Sequence, residues 1–161
     1  MERFTISLDQ DLAQEFELLI ADRGYQNRSE AVRDLLRSRL EERRFERNEA
    51  KYCVANLSFV YNHHERSLAE RLAGLQHDNH DLIVSAMHVH LDHESCIESL
   101  ILRGRTESVR AFANSLIAEP GVRHGQMNLV SLEADSHPHS HASKSTGTGS
   151  VQRHTHLRPK S

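Results

Sequence analysis

His88 and His90 lie two residues apart in a stretch that alternates as a strand should, so both imidazoles are expected to project from one face. Cys96 follows after the short polar link Asp92-His-Glu-Ser95, close enough for its sulfur to fold back towards the two rings. His77 adds a third imidazole upstream of the strand, and it need not reach the same metal within one chain. Imidazole and thiolate are the ligands that borderline divalent metals prefer, whereas calcium or magnesium would want oxygen. The candidates are zinc, nickel, copper and cobalt. Three imidazoles and a thiolate can be tetrahedral for zinc or planar for nickel or cupric copper, and residue types alone leave that choice open. The plainer alternative is that His88 and His90 are polar residues on an exposed sheet face and Cys96 is core, since a chain with thirteen histidines contains some His-x-His pairs by chance.

The elements that must position these side chains occupy residues 51–135. A strand over 51–62 is followed by a helix near 67–76, a strand over 82–92 and, after a tight connection, a strand over 97–102. Thr106 is expected to cap a helix with Val109, Phe112 and Leu116 on its inner face, ending near Pro120-Gly121, and residues 126–133 supply a last strand. The order βαββαβ is the ferredoxin-like (ACT-like) plan of an antiparallel sheet with two helices on one face, which leaves the other face free to meet another subunit. On the His88 strand, Ile83, Met87, Val89 and Leu91 point opposite to the histidines and are expected to face the core. Cys53, in an alternating stretch, reads as a buried small hydrophobe.

The first fifty residues suggest a separate unit. Phe4, Ile6 and Leu8 alternate with Arg3, Thr5 and Ser7, which is the pattern of a short amphipathic strand. Asp9 can cap a helix bearing Leu12, Phe16, Leu19 and Ile20, with Gly24 at its end, and Ser29 can cap a second helix bearing Val32, Leu35, Leu36 and Leu40. One strand and two helices cannot close a core, so the strand needs a partner, and the simplest is the same strand of a second copy. In such a two-stranded ribbon Arg3, Thr5 and Ser7 of both chains would point outward, a compact set of donors and acceptors suited to the DNA major groove, the plainer alternative being an amphipathic edge strand with ordinary solvated residues. Backbone amides near Arg28 and Ser29 can hold a phosphate. Glu30 and Asp34 share a helix face and can hold a cation, although the commoner role of such a pair is a solvated surface near Arg33 and Arg37.

Composition bounds the rest. Hydrophobic residues make up 37% of the chain and aromatics 5%, with no Trp, so the core must be aliphatic and oligomerisation a source of stability. No apolar run approaches the roughly 20 residues that span a bilayer, and the start lacks a secretory signal, so the chain is expected in the cytoplasm with no membrane partner. No folded region is broadly basic, which means that DNA binding needs focused contacts. There is no phosphate loop and no nucleophile elbow, and no nucleophile is paired with a base, which argues against an enzyme. Residues 136–161 turn to Ser, Thr, Gly and scattered histidine (His137, His139, His141, His154, His156) and read as a disordered tail.

Together these residues resemble the NikR family of nickel-responsive transcriptional regulators over residues 1 to about 133. The resemblance rests on Arg-Phe-Thr-Ile-Ser-Leu-Asp at the start, on Arg-Gly-Tyr-Gln-Asn-Arg-Ser-Glu-Ala-Val-Arg-Asp, on Gln76-His-Asp-Asn-His-Asp-Leu82, on Met87-His-Val-His-Leu-Asp-His-Glu-Ser-Cys96 and on Gly121-Val-Arg-His-Gly125. It implies a homotetramer, a dimer of dimers, with one Ni(2+) per subunit in a planar site made by His88, His90 and Cys96 of one chain and His77 of a neighbour. It implies double-stranded operator DNA as partner, read by Arg3, Thr5 and the residue at position 7, which here is Ser where the family commonly has Thr. It also implies a second, hard cation at Glu30 and Asp34. The long His-containing tail departs from the pattern. Two other functions remain open: a metal-independent ribbon-helix-helix repressor whose second domain senses a small molecule, and a nickel or copper buffer that uses the tail histidines.

Overall fold

The computed structural model describes residues 2–134 and 157–159. The chain divides into two compact units, Met1–Arg43 and Arg44–Ser161. In the first, α1 (Gln10–Arg23) begins where the Asp9 side chain accepts the Leu12 amide at 2.9 Å, and it ends at Gly24, whose φ of 70° is the left-handed geometry that glycine adopts without steric cost. Helix α2 (Arg28–Glu46) begins differently from expectation. The Asn27 side chain accepts the Glu30 amide at 2.9 Å, so Asn27 is the cap and Ser29 lies inside the first turn. Residues 2–9 form no strand in the single chain, and Phe4 is 82% exposed, because a lone strand has nowhere to send its backbone N–H and C=O groups. The helix stripes are incomplete for the same reason, and Leu12, Leu35, Leu36 and Leu40, expected to be buried, stay exposed.

The second unit is built from β1 (Tyr52–Asn62), α3 (Arg66–Asp78), β2 (Ile83–His90), β3 (Ser95–Arg105), α4 (Thr106–Ile117), β4 (Arg123–Ala134) and β5 (Leu157–Pro159). The sheet order is β2-β3-β1-β4-β5, all neighbours antiparallel, and its first four strands reproduce the expected ferredoxin-like plan. Alternation along β1 buries Cys53, Ala55, Leu57, Phe59 and Tyr61, which meet Leu100 and Leu102 of β3, Leu68 and Leu72 of α3, and Val109, Phe112 and Leu116 of α4. Each such aliphatic side chain contributes roughly 1.5–3 kcal/mol of transfer free energy, which is what pins the helices to this face.

Two details place the strands that matter. A Cβ at Gly104 would stand 2.7 Å from Leu82 Cδ2, so the glycine lets the short 3-10 turn His80–Leu82 close over β3 and deliver β2 to its edge. Thr106 does not cap α4. Arg105 holds the cap position without a side-chain bond, and the Thr106 amide donates instead to the Lys51 carbonyl at 3.0 Å. Three residues of the segment expected to be a disordered tail are ordered: β5 pairs Leu132 with Pro159, Glu133 with Arg158 and Ala134 with Leu157. The outer edge of β4 offers unpaired backbone groups that a returning segment can satisfy. The five tail histidines lie outside the described residues.

Candidate metal centre

The pairing of β2 with β3 sets His88 opposite Glu98 and His90 opposite Cys96, so all four side chains share one face of the sheet. The two rings stand 5.1 Å apart between centroids. That face is the one the helices cover, not the reverse. Met87, Val89 and Leu91, expected to be core, are exposed, because Cys96, Glu98, Leu100 and Leu102 are the buried positions of β3 and the register carries the histidines to their side. Alternation alone defines two faces of a strand; only the neighbour decides which one is inside.

The β2–β3 turn is fixed by Asp92, whose carboxylate accepts the amides of Glu94 at 2.8 Å and Ser95 at 2.6 Å. Those amides, Ser95 first, hold its pKa below the ordinary value. Cys96 follows directly. Its thiol is buried and donates to the Tyr61 carbonyl at 3.5 Å, and burial is the main cause raising its pKa. His77 lies on the last turn of α3, where its ring neighbour is His80 at 6.1 Å and its carbonyl meets His80 Nδ1 at 2.9 Å. Among the described residues no three candidate ligands stand together at metal-binding distance within one chain. The donor set nevertheless fits a borderline divalent metal: two imidazoles and one thiol share a face, and an exposed strand leaves room for a further ligand.

Four residues missed in the sequence surround this set. Glu98 is buried and accepts a hydrogen bond from the Tyr61 hydroxyl at 3.2 Å and from the Gln76 amide at 2.6 Å. Burial, then Glu98 and Cys96, pushes the Tyr61 phenol above its ordinary range, so it stays a donor. His63, just past β1, packs 4.8 Å from the His90 ring and 4.4 Å from His64. Its buried Nδ1 has no partner, and desolvation followed by the neighbouring imidazoles lowers its pKa. No local signal marks these four, since each reaches the centre through a different element.

The other candidate residues lie in the first unit. Arg3, Thr5 and Ser7 are exposed in residues 2–9, and the single chain does not bring them to a common strand. Arg28 pairs with Glu17, and Ser29 offers its carbonyl to Arg33 at 3.2 Å. Asp34 faces Arg37 at 3.3 Å while Glu30 is exposed one turn earlier.

Residues 2–43 match the family model of ribbon-helix-helix proteins of the copG family, and residues 54–130 match that of the NikR C terminal nickel binding domain. A "Nickel-responsive regulator" of Edwardsiella ictaluri is 46% identical over 144 residues, covering 88% of this chain and 99% of that protein. A "Putative nickel-responsive regulator" of Solibacter usitatus is 45% identical over 135 residues, covering 84% and 96%. Together the two family models place a ribbon-helix-helix unit ahead of a nickel-binding domain in one chain. The chain belongs to the family of nickel-responsive transcriptional regulators, and it is a regulator, not an enzyme.

Proposed function

We propose that the chain represses nickel-uptake genes as a homotetramer whose affinity for operator DNA depends on nickel held between subunits, one ion per chain. The observation that carries this reading is the register that puts His88, His90 and Cys96 on one face while His77 stands on a separate helix. Three donors from one chain leave a coordination position that His77 of a neighbouring chain supplies. Cys96, as thiolate, would supply the charged ligand, with its thiol proton released to solvent, and the neutral rings of His88 and His90 would complete the chain's own share of a site that crosslinks two chains.

The remaining features fit this assembly. The exposed Met87, Val89 and Leu91 give the open face of the sheet an apolar surface for a second copy. Arg3, Thr5 and Ser7 of two chains meet in the ribbon and read base edges, while amides near Arg28 and Ser29 take a phosphate. Glu30 and Asp34 are assigned to a second, hard cation, for which Asp34 must exchange its Arg37 partner. Ligation across the chain boundary would fix His77 against the neighbouring chain and favour the arrangement in which both ribbons engage two half-sites.

The test is a nickel titration followed by absorption spectroscopy, together with a gel shift on DNA upstream of a neighbouring transporter gene. A thiolate-to-nickel band that Cys96→Ala abolishes, and a DNA shift that chelator reverses, are the expected results. A DNA shift indifferent to nickel and chelator would overturn the reading.

A further inference from the structure

Glu98 is the only charged residue buried among the described residues, at 7% exposure. Burying a carboxylate is costly unless donors compensate it. A carboxylate has about four acceptor positions, and the chain fills two of them, with the Tyr61 hydroxyl at 3.2 Å and the Gln76 amide at 2.6 Å. His88 also faces it, with Nδ1 3.9 Å from Oε2, just beyond hydrogen-bond distance. With Nδ1 turned to the carboxylate, the other ring nitrogen of His88 is the one left for a ligand's role. Gln76 immediately precedes His77 on the last turn of α3. One carboxylate therefore faces the ring of one candidate ligand and holds the residue beside another.

We infer that Glu98 is a positioning residue of the metal centre, which orients the His88 ring through Nδ1 and ties the last turn of α3, with His77, to the sheet. This rests on the metal-site reading above. A carboxylate behind a ligating histidine fixes the ring's orientation and tautomer, and losing it commonly weakens metal affinity by about 10–100-fold.

Two measurements on the full-length protein test it: amide hydrogen exchange over residues 75–82 in the metal-free state, and nickel affinity by chelator competition with the charge-transfer band recorded. In Glu98→Ala, exchange at the helix end should quicken and affinity should fall about 10–100-fold, while the thiolate band survives because Cys96 is intact. Glu98→Gln keeps an acceptor for Gln76 but loses the charge facing His88, so its exchange should match the wild type while its affinity still falls. It also carries the test should the alanine variant fail to fold. Gln76→Ala should quicken exchange without changing the band. Unchanged exchange and affinity in Glu98→Ala, or equal exchange defects in Glu98→Gln and Glu98→Ala, would overturn the inference. Absence of the band in the wild type would instead sink the metal reading, and the metal-free exchange would still decide the tether.

Discussion

Cys96 stands directly opposite His90 in the β2–β3 pair and opposite Tyr61 in the β1–β3 pair, and its buried thiol donates to the Tyr61 carbonyl at 3.5 Å. A candidate ligand sulfur thus lies inside the sheet as a thiol, beside the strand that carries two further candidates, His88 and His90.

With Cys96 as a ligand, nickel binding must release a proton. Burial, with Glu98 adding to it, raises the Cys96 thiol above its ordinary value, so near neutral pH the metal-free sulfur is protonated. The thiol proton lost on ligation makes affinity depend on pH over the window in which the free sulfur is protonated. Affinity should rise about tenfold per pH unit in that window and weaken as pH falls. Chelator competition across the window checks this, and a flat profile would remove Cys96 from the ligand set.

If His77 serves a neighbour's metal, His77→Ala and Cys96→Ala chains should complement each other. Neither variant alone should bind nickel with wild-type affinity, and subunit exchange between them should restore part of it. Mixing that restores nothing would place all four ligands in one chain.

The caps of the DNA-binding unit separate Asn27 from Ser29. Asn27→Ala should cost about 1 kcal/mol of stability through the lost bond to the Glu30 amide. Ser29→Ala, already inside the turn, should cost much less. Thermal unfolding of the two variants reads the difference.

Truncation after Asp135 removes β5 and uncovers the β4 edge. Nickel should still bind at one ion per chain with the same absorption band, while light scattering should show more self-association through that edge. Loss of most metal uptake would favour the buffer reading of the tail.

Much of this was legible in the sequence. Alternation in residues 51–61 and the turn residues between elements predicted the order βαββαβ, and alternation put His88 and His90 on one face with Cys96 close enough in sequence to fold back towards them. The side of that face was not legible, since Met87 and Val89 look as core-like as any strand residues until β3 shows which of its own positions are buried. Nor were Tyr61, His63, Gln76 and Glu98, because their meeting depends on register between β1, β2 and β3 and on where α3 ends. The cap of α2 was misread between two good capping residues, Asn27 and Ser29, two positions apart, and only the geometry of the Glu30 amide decides it.

Strand β2 has no fully buried position in the single chain. Little of the chain's own folding energy depends on its sequence, so a screen that scores variants by the thermal stability of isolated chains would pass substitutions at Met87, His88, Val89 or His90 as harmless. With the proposed metal centre on this strand, the same substitutions would be among the most damaging to regulation, which makes loss of response without loss of protein the expected phenotype of a β2 mutation.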